Sequence, residues 1–243
     1  MNIRLPSPPV SPAGPFDALL GRRAGEMHDV VTAGADFAAG LGFCLAATAR
    51  LAGRRAALWI YDEAGGAETG FPSGAGLVAY GLDPSAVLLA RVRTEKQALQ
   101  AALEGARCAA LGAVLIELRG ESRGFDLTAT RRLALGAEAS GASVVALRVG
   151  GASRPSAALA RWRVCGAPSS ELAARSPGAP AFLVRLERHR GGEPERSWHV
   201  EWDRDRGALR SVAIETSLPW PVGAVSGGGA ARAREQERRR WAG

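Results

Sequence analysis

The feature that most constrains this chain is a series of short apolar runs, each separated from the next by a stretch of helical period. "HDVV", "AALWIY", "GAVLIEL" and "ASVVALRV" are too short for helices and too uniformly apolar for one-sided strands. Strands buried on both faces read this way. Between the first two, Phe37, Leu41, Cys44, Leu45, Thr48 and Leu51 recur at helical spacing and predict a helix over about residues 36–51. Thr94 reads as the N-cap of "EKQALQAALEGARCAAL", with Leu99, Leu103, Ala106 and Ala110 expected to face inward. "DLTATRRLALGAEASG" reads as a helix closed by Gly141. The Gly-rich "AGGAETGFPSGAG" is expected to be a loop leading into a short helix, and Asp83-Pro84 a turn before the strand in "AVLLARV". Strands that alternate with helices of this length form a parallel sheet with both faces covered.

After Gly150 the pattern changes. "ARWRVCG", "AFLVRLERHR", "SWHVEWD" and "ALRSVAI" alternate apolar and polar residues, and "RGGEPERS" reads as a hairpin connection. These are expected to be antiparallel strands that extend the sheet. The expected architecture is therefore an α/β three-layer domain over residues 21–218, mostly parallel, extended by C-terminal antiparallel strands. An N-terminal arm over residues 1–20 is rich in proline and includes "FDALLG" as a short helix closed by Gly21. A Gly-rich and then Arg/Glu-rich tail spans residues 219–243.

Net charge is +7, which permits attraction to nucleic acid or to an acidic protein face. Lys96 is the only lysine among 31 basic residues, so many arginines reflect coding bias and carry no message. Cys44, Cys108 and Cys165 lack metal-ligand spacing and read as reduced thiols, Cys44 and Cys108 on apolar helix faces. No apolar stretch is expected to span a membrane and no signal peptide is visible, so a cytoplasmic, nucleoid-associated protein is expected. No metal and no cofactor are expected.

The order of these pieces resembles the RecA-like core over about residues 25–205. A strand, a small-residue turn and a helix come first, and then a strand ending in a carboxylate, "WIYDE". "YGLDPSAVLLARVRTEKQALQAALEGARCAALGAVLIEL" sits where RecA proteins carry a Gly-(Leu or Val)-Asp turn, a strand, a Glu-Gln-Ala-Leu helix and the Walker B strand. Within that superfamily, "LTATRRL", "RWRV" and the hairpin "RLERHRGGEPERSWHVEWD" look like the ImuA family of damage-inducible mutagenesis proteins. The resemblance implies a role in SOS-induced translesion synthesis, with RecA, the Y-family-like ImuB and an error-prone polymerase as partners.

A phosphate loop needs glycines for close backbone approach, a lysine for charge and a hydroxyl for Mg²⁺. Laid on the RecA pattern, "TAGADFAAG" places Ala38 at the lysine position and Ala39 at the hydroxyl position. Asp36 there would repel phosphate and reads as a helix N-cap. Tight ATP binding and ATPase activity are not expected. Glu63 matches the water-activating glutamate and Glu117 the Walker B acid. Without the loop both read better as vestiges, kept as caps or as partners of arginine.

Arg188 and Arg190 match the basic pair that RecA protomers extend to a neighbour's nucleotide, and would equally blunt an exposed strand edge. Arg148, Arg154, Arg161 and Arg163 are candidates for phosphate contact, with Trp162 more readily core than a stacking partner. Arg238, Arg239, Arg240 and Trp241 form a candidate docking peptide in the tail. The function expected is a non-catalytic accessory protein of DNA-damage mutagenesis, with weak DNA binding and self-association open. The alternatives are a SulA-like division inhibitor, a degenerate ATPase and a plain DNA-binding module.

Overall fold

The computed structural model describes residues 20, 23–151, 154–170 and 178–212. The expected arm, apart from Leu20, and the expected tail with Arg238, Arg239, Arg240 and Trp241 lie outside the described residues. So does most of the "FDALLG" helix.

The parallel part contains β1 (Met27–Thr32), α1 (Phe37–Ala52), β2 (Ala56–Asp62), α2 (Glu63–Thr69), α3 (Gly74–Ala79), β3 (Val87–Val92), α4 (Glu95–Ala106), β4 (Leu111–Arg119), α5 (Leu127–Ser140) and β5 (Ser143–Val149). Then come β6 (Ala160–Gly166), β7 (Ala181–His189), β8 (Arg196–Asp203) and β9 (Ala208–Val212). The nine strands among the described residues form one sheet in the order β3-β2-β4-β5-β1-β6-β7-β8-β9. Pairing is parallel from β3 to β6 and antiparallel from β6 to β9. The strand direction reverses at β7, one strand later than the change of sequence pattern after Gly150: β6, expected to be antiparallel, runs parallel to β1, and the antiparallel extension consists of β7, β8 and β9.

Alternation along the strands splits the core in two. Ala113 and Leu115 of β4 join Phe43 of α1, Trp162 and Phe182 on one face. Val114 and Ile116 join Ala102 of α4 and Leu133 of α5 on the other. The segment Gly34–Ala52 is, contrary to expectation, long and apolar enough by composition to cross a membrane. Here α1 packs on β4, β5 and β6, and Phe43 and Cys44 are fully buried.

Three local expectations are corrected. The glycines of "EAGGAET" form a helix, α2, because the Asp62 carboxylate accepts from the Gly65 amide at 3.0 Å and caps its first turn. Helix α4 is capped by Thr94 as expected, but it is rotated. Ala98, Ala102, Gly105 and Ala106 face the sheet, Leu99 and Leu103 are only half-buried, and Ala110 is exposed. The cause is close approach: a Cβ on Gly105 would stand 2.8 Å from Leu58 and 2.9 Å from Val114. Only small residues fit between this helix and the strands. Cys108 lies beyond the end of α4 and is exposed rather than packed.

Candidate functional site

The connection from β1 to α1 is short. Residues Gly34–Asp36 make a single 3₁₀ turn, and α1 begins at Phe37. Thr32 Oγ1 donates to the Val164 carbonyl at 2.9 Å and ties the turn to β6. Asp36 stands at the N-cap position of α1 but does not cap it. Its carboxylate accepts from the Gly166 amide at 3.0 Å, a correction to the expected role. Ala38 and Ala39 already lie in the first turn of α1, so neither the charge nor the hydroxyl of a phosphate grip is present at these positions.

Phe37 occupies the mouth of the turn. The Arg119 guanidinium carbon stands 4.2 Å from the centre of its ring, within cation–π reach. Behind this pair is a slot of about 160 Å³, lined by Leu41, Trp59, Tyr61, Phe71 and Leu77 together with Glu117. The Glu117 carboxylate is buried and accepts from the Trp59 indole N–H at 2.7 Å, with Arg119 at 3.6 Å. Burial raises its pKa above the ordinary carboxylate range, and the bonds from Trp59 and Arg119 only partly oppose that. Arg119 also donates to Thr69 Oγ1 at 3.0 Å, reaching past α2 where Gly65 leaves room.

Glu63 does not join Glu117. It opens α2 and turns toward β3, where its carboxylate bonds Arg93 at 2.6 Å and lies 3.6 Å from Arg91. The bond from Arg93 lowers its pKa. The structure thus holds one of the two expected acids in the slot and ties the other to the outermost strand.

The basic candidates converge on the segment leading into β6. Arg161 donates to Asp29 at 3.0 Å and to Ser156 Oγ at 3.1 Å. Arg148 grips the same Asp29 with two bonds, at 2.8 and 3.0 Å, and is 4 % exposed. Such a side chain does not reach a phosphate, which corrects its expected role. Arg154 faces Glu121 at 3.4 Å with its side chain partly exposed. Arg163 bonds Glu187 instead. Arg188 donates to the carbonyls of Ser156 and Ala158, and Arg190 to that of Ala157. Arg188 lies opposite Arg161 of β6, while the pairing of β7 with β8 ends at Leu186, so the β8 side of β7 carries no ladder partner at Arg188. Trp162 is fully buried, with its indole N–H donating to His28 Nδ1 at 3.3 Å.

Sequence reasoning missed Asp29. The signal was there: a carboxylate inside a strand buried along its whole length needs a paired cation. Arg148, in the equally buried β5, is that cation.

No family model matches the sequence, and no curated protein matches it. Among solved structures, the RadB recombinase aligns with a TM-score of 0.55 at 16% identity, over 82% of this chain and 97% of that one. The fold is RecA-like. At that identity the likeness shows the fold alone. SulA from Pseudomonas aeruginosa aligns at 17% identity over 51% of this chain and 98% of that one, with a TM-score of 0.38, too low to bear on fold or activity.

Proposed function

We propose that this chain is a non-catalytic RecA-like accessory protein of damage-induced mutagenesis, bridging RecA, a Y-family-like ImuB homologue and an error-prone polymerase. One observation carries the non-catalytic part. Where an ATPase of this fold would present amides, a lysine and a hydroxyl, this chain presents Ala38, Ala39 and a Phe37 ring packed against Arg119. Glu117 Oε1 accepts from the Trp59 indole and Oε2 lies 3.6 Å from the Arg119 guanidinium, so a cation there would meet a positive charge already in place. The mutagenesis role is supported by the resemblance of "LTATRRL", "RWRV" and the "RGG" hairpin to ImuA proteins, and by a fold shared with a recombinase.

The test has two arms. A fluorescent ATP analogue with Mg²⁺ should show no saturable binding up to about 1 mM, the weakest affinity of practical use. Saturable binding lost in Glu117→Gln would overturn the non-catalytic reading in favour of a degenerate ATPase. Purified RecA and ImuB homologue from the same organism should be retained by the full chain. Retention lost on truncation after Pro219 assigns docking to the tail. Retention lost only in Arg188→Ala/Arg190→Ala assigns it to the β7 end. Retention of neither partner by any form sinks the adaptor reading.

A further inference from the structure

The rotation of α4 leaves a groove that the nucleotide-site argument does not use. Because Ala98, Ala102 and Gly105 take the sheet side, Leu99 and Leu103 turn toward α5 and meet Leu133 there. Between the two helices lies an open groove of about 400 Å³, with an apolar floor. Lys96 and Arg132 stand on opposite rims, and Leu135, one turn beyond Arg132, is 56% exposed. An apolar cleft of this size between helices is a place where another side chain can be buried.

The charges around it lean positive, with Glu95 the one carboxylate that lines the groove beside Lys96 and Arg132. Lys96, Arg123, Arg131 and Arg132 are exposed and have no ion-pair partner among the described residues. The neighbouring acids are largely committed. Glu95 accepts from the amides of Gly124 and Phe125 at 3.0 and 3.1 Å, and Asp126 caps α5 through the Ala129 amide at 2.8 Å. Glu104 pairs with Arg107, which leaves Glu138 toward the far end of α5.

From this we infer that the α4–α5 groove docks an acidic amphipathic helix of another protein, leucine-type side chains against Leu99, Leu103 and Leu133, carboxylates against Lys96 and Arg132. Charge complementarity selects that occupant. The chain's own tail is arginine-rich and a second copy carries the same +7, so both are repelled by the rim. A helix is the element that presents apolar anchors on one side and carboxylates on the other within a groove of this shape. The inference deepens the adaptor reading and rests on it only for the identity of the partner.

The test uses the full chain and a fluorescein-labelled peptide of about 18 residues with leucine at i, i+3, i+4 and i+7 and glutamate elsewhere, alongside its lysine counterpart. Fluorescence anisotropy is read for the wild type, for Lys96→Glu/Arg132→Glu, and for a control reversal, Arg54→Glu/Arg204→Glu, at exposed positions elsewhere. The glutamate peptide should bind saturably, about tenfold more weakly to the groove variant, and unchanged to the control. A third variant, Leu103→Gln, should lose binding while its thermal unfolding shows that it is folded. No binding, equal binding to all variants, or equal weakening by the control reversal would overturn the groove. The RecA and ImuB pull-down repeated on the same variants separates the two proposals. Peptide binding without partner retention keeps the groove and rejects the adaptor. Retention that survives Lys96→Glu/Arg132→Glu places the docking of those partners elsewhere.

Discussion

Asp29, in the middle of β1, accepts four hydrogen bonds from Arg148, Arg161 and Ser156. Glu117, near the end of β4, accepts from the Trp59 indole and has Arg119 3.6 Å away. Both carboxylates are buried on strands of the same sheet. The first has donors enough to replace the water it lost, and it binds together three separate stretches of chain. The second has been taken out of water with fewer donors, and burial pushes it toward its protonated form. The difference separates a charge held by many donors from a charge held by few. The seam between β1, β5 and β6 depends on its charge. The corner between α1, β2 and β4 depends mostly on its rings.

The largest effect expected from that contrast is at the seam. Asp29→Asn keeps the shape but leaves two arginines buried without a counter-charge, and should cost about 3–5 kcal/mol in urea unfolding. A loss below about 1 kcal/mol would erase the distinction. Next is the corner, where Phe37→Ala removes a half-buried ring and its contact with Arg119 and should cost about 2 kcal/mol. Glu117→Gln tests the sign of the burial effect. The folded chain holds the Glu117 proton to a higher pH than the unfolded chain does. Its contribution is therefore full below the ordinary carboxylate value and is lost as pH rises through the raised one. The Gln variant, always neutral, should gain on the wild type in melting temperature as pH rises above the ordinary carboxylate value. A gain in the opposite direction would show that Arg119 outweighs burial. The smallest effect is at Glu63, whose ion pairs with Arg91 and Arg93 lie at the surface, so that Glu63→Gln should leave the urea midpoint essentially unchanged.

The parts of the fold that were legible are those where burial leaves a pattern. Runs such as "GAVLIEL" and "ASVVALRV" could be little else than strands covered on both faces, and the antiparallel extension announced itself by period two in "AFLVRLERHR", whereas "ARWRVCG" shows the same period and runs parallel to β1. Helix α2 was not legible, because its cap, Asp62, looked like the end of a strand and its glycines looked like loop. The face of α4 was misread for a different reason. Leucine at helical spacing normally marks the buried side, but here the distance to Leu58 and Val114 admits only Ala and Gly. That Ala38 and Ala39 open the helix after β1 could be read directly from the sequence. The contact beside them could not, since Phe37 and Arg119 meet only through the pairing order of the sheet.

That pairing order also bears on how the chain is made. Strand β1 leaves the ribosome early, yet both of its neighbours, β5 and β6, lie more than a hundred residues later, with Met27 opposite Val144. At ordinary rates of synthesis the central strand waits on the order of ten seconds for its partners. During that time Asp29 is a charge without its arginines, and any early collapse that buries it is penalised. The same carboxylate that locks the finished sheet therefore keeps its middle strand in water until the right neighbours arrive. It acts on the timing of folding as well as on its outcome.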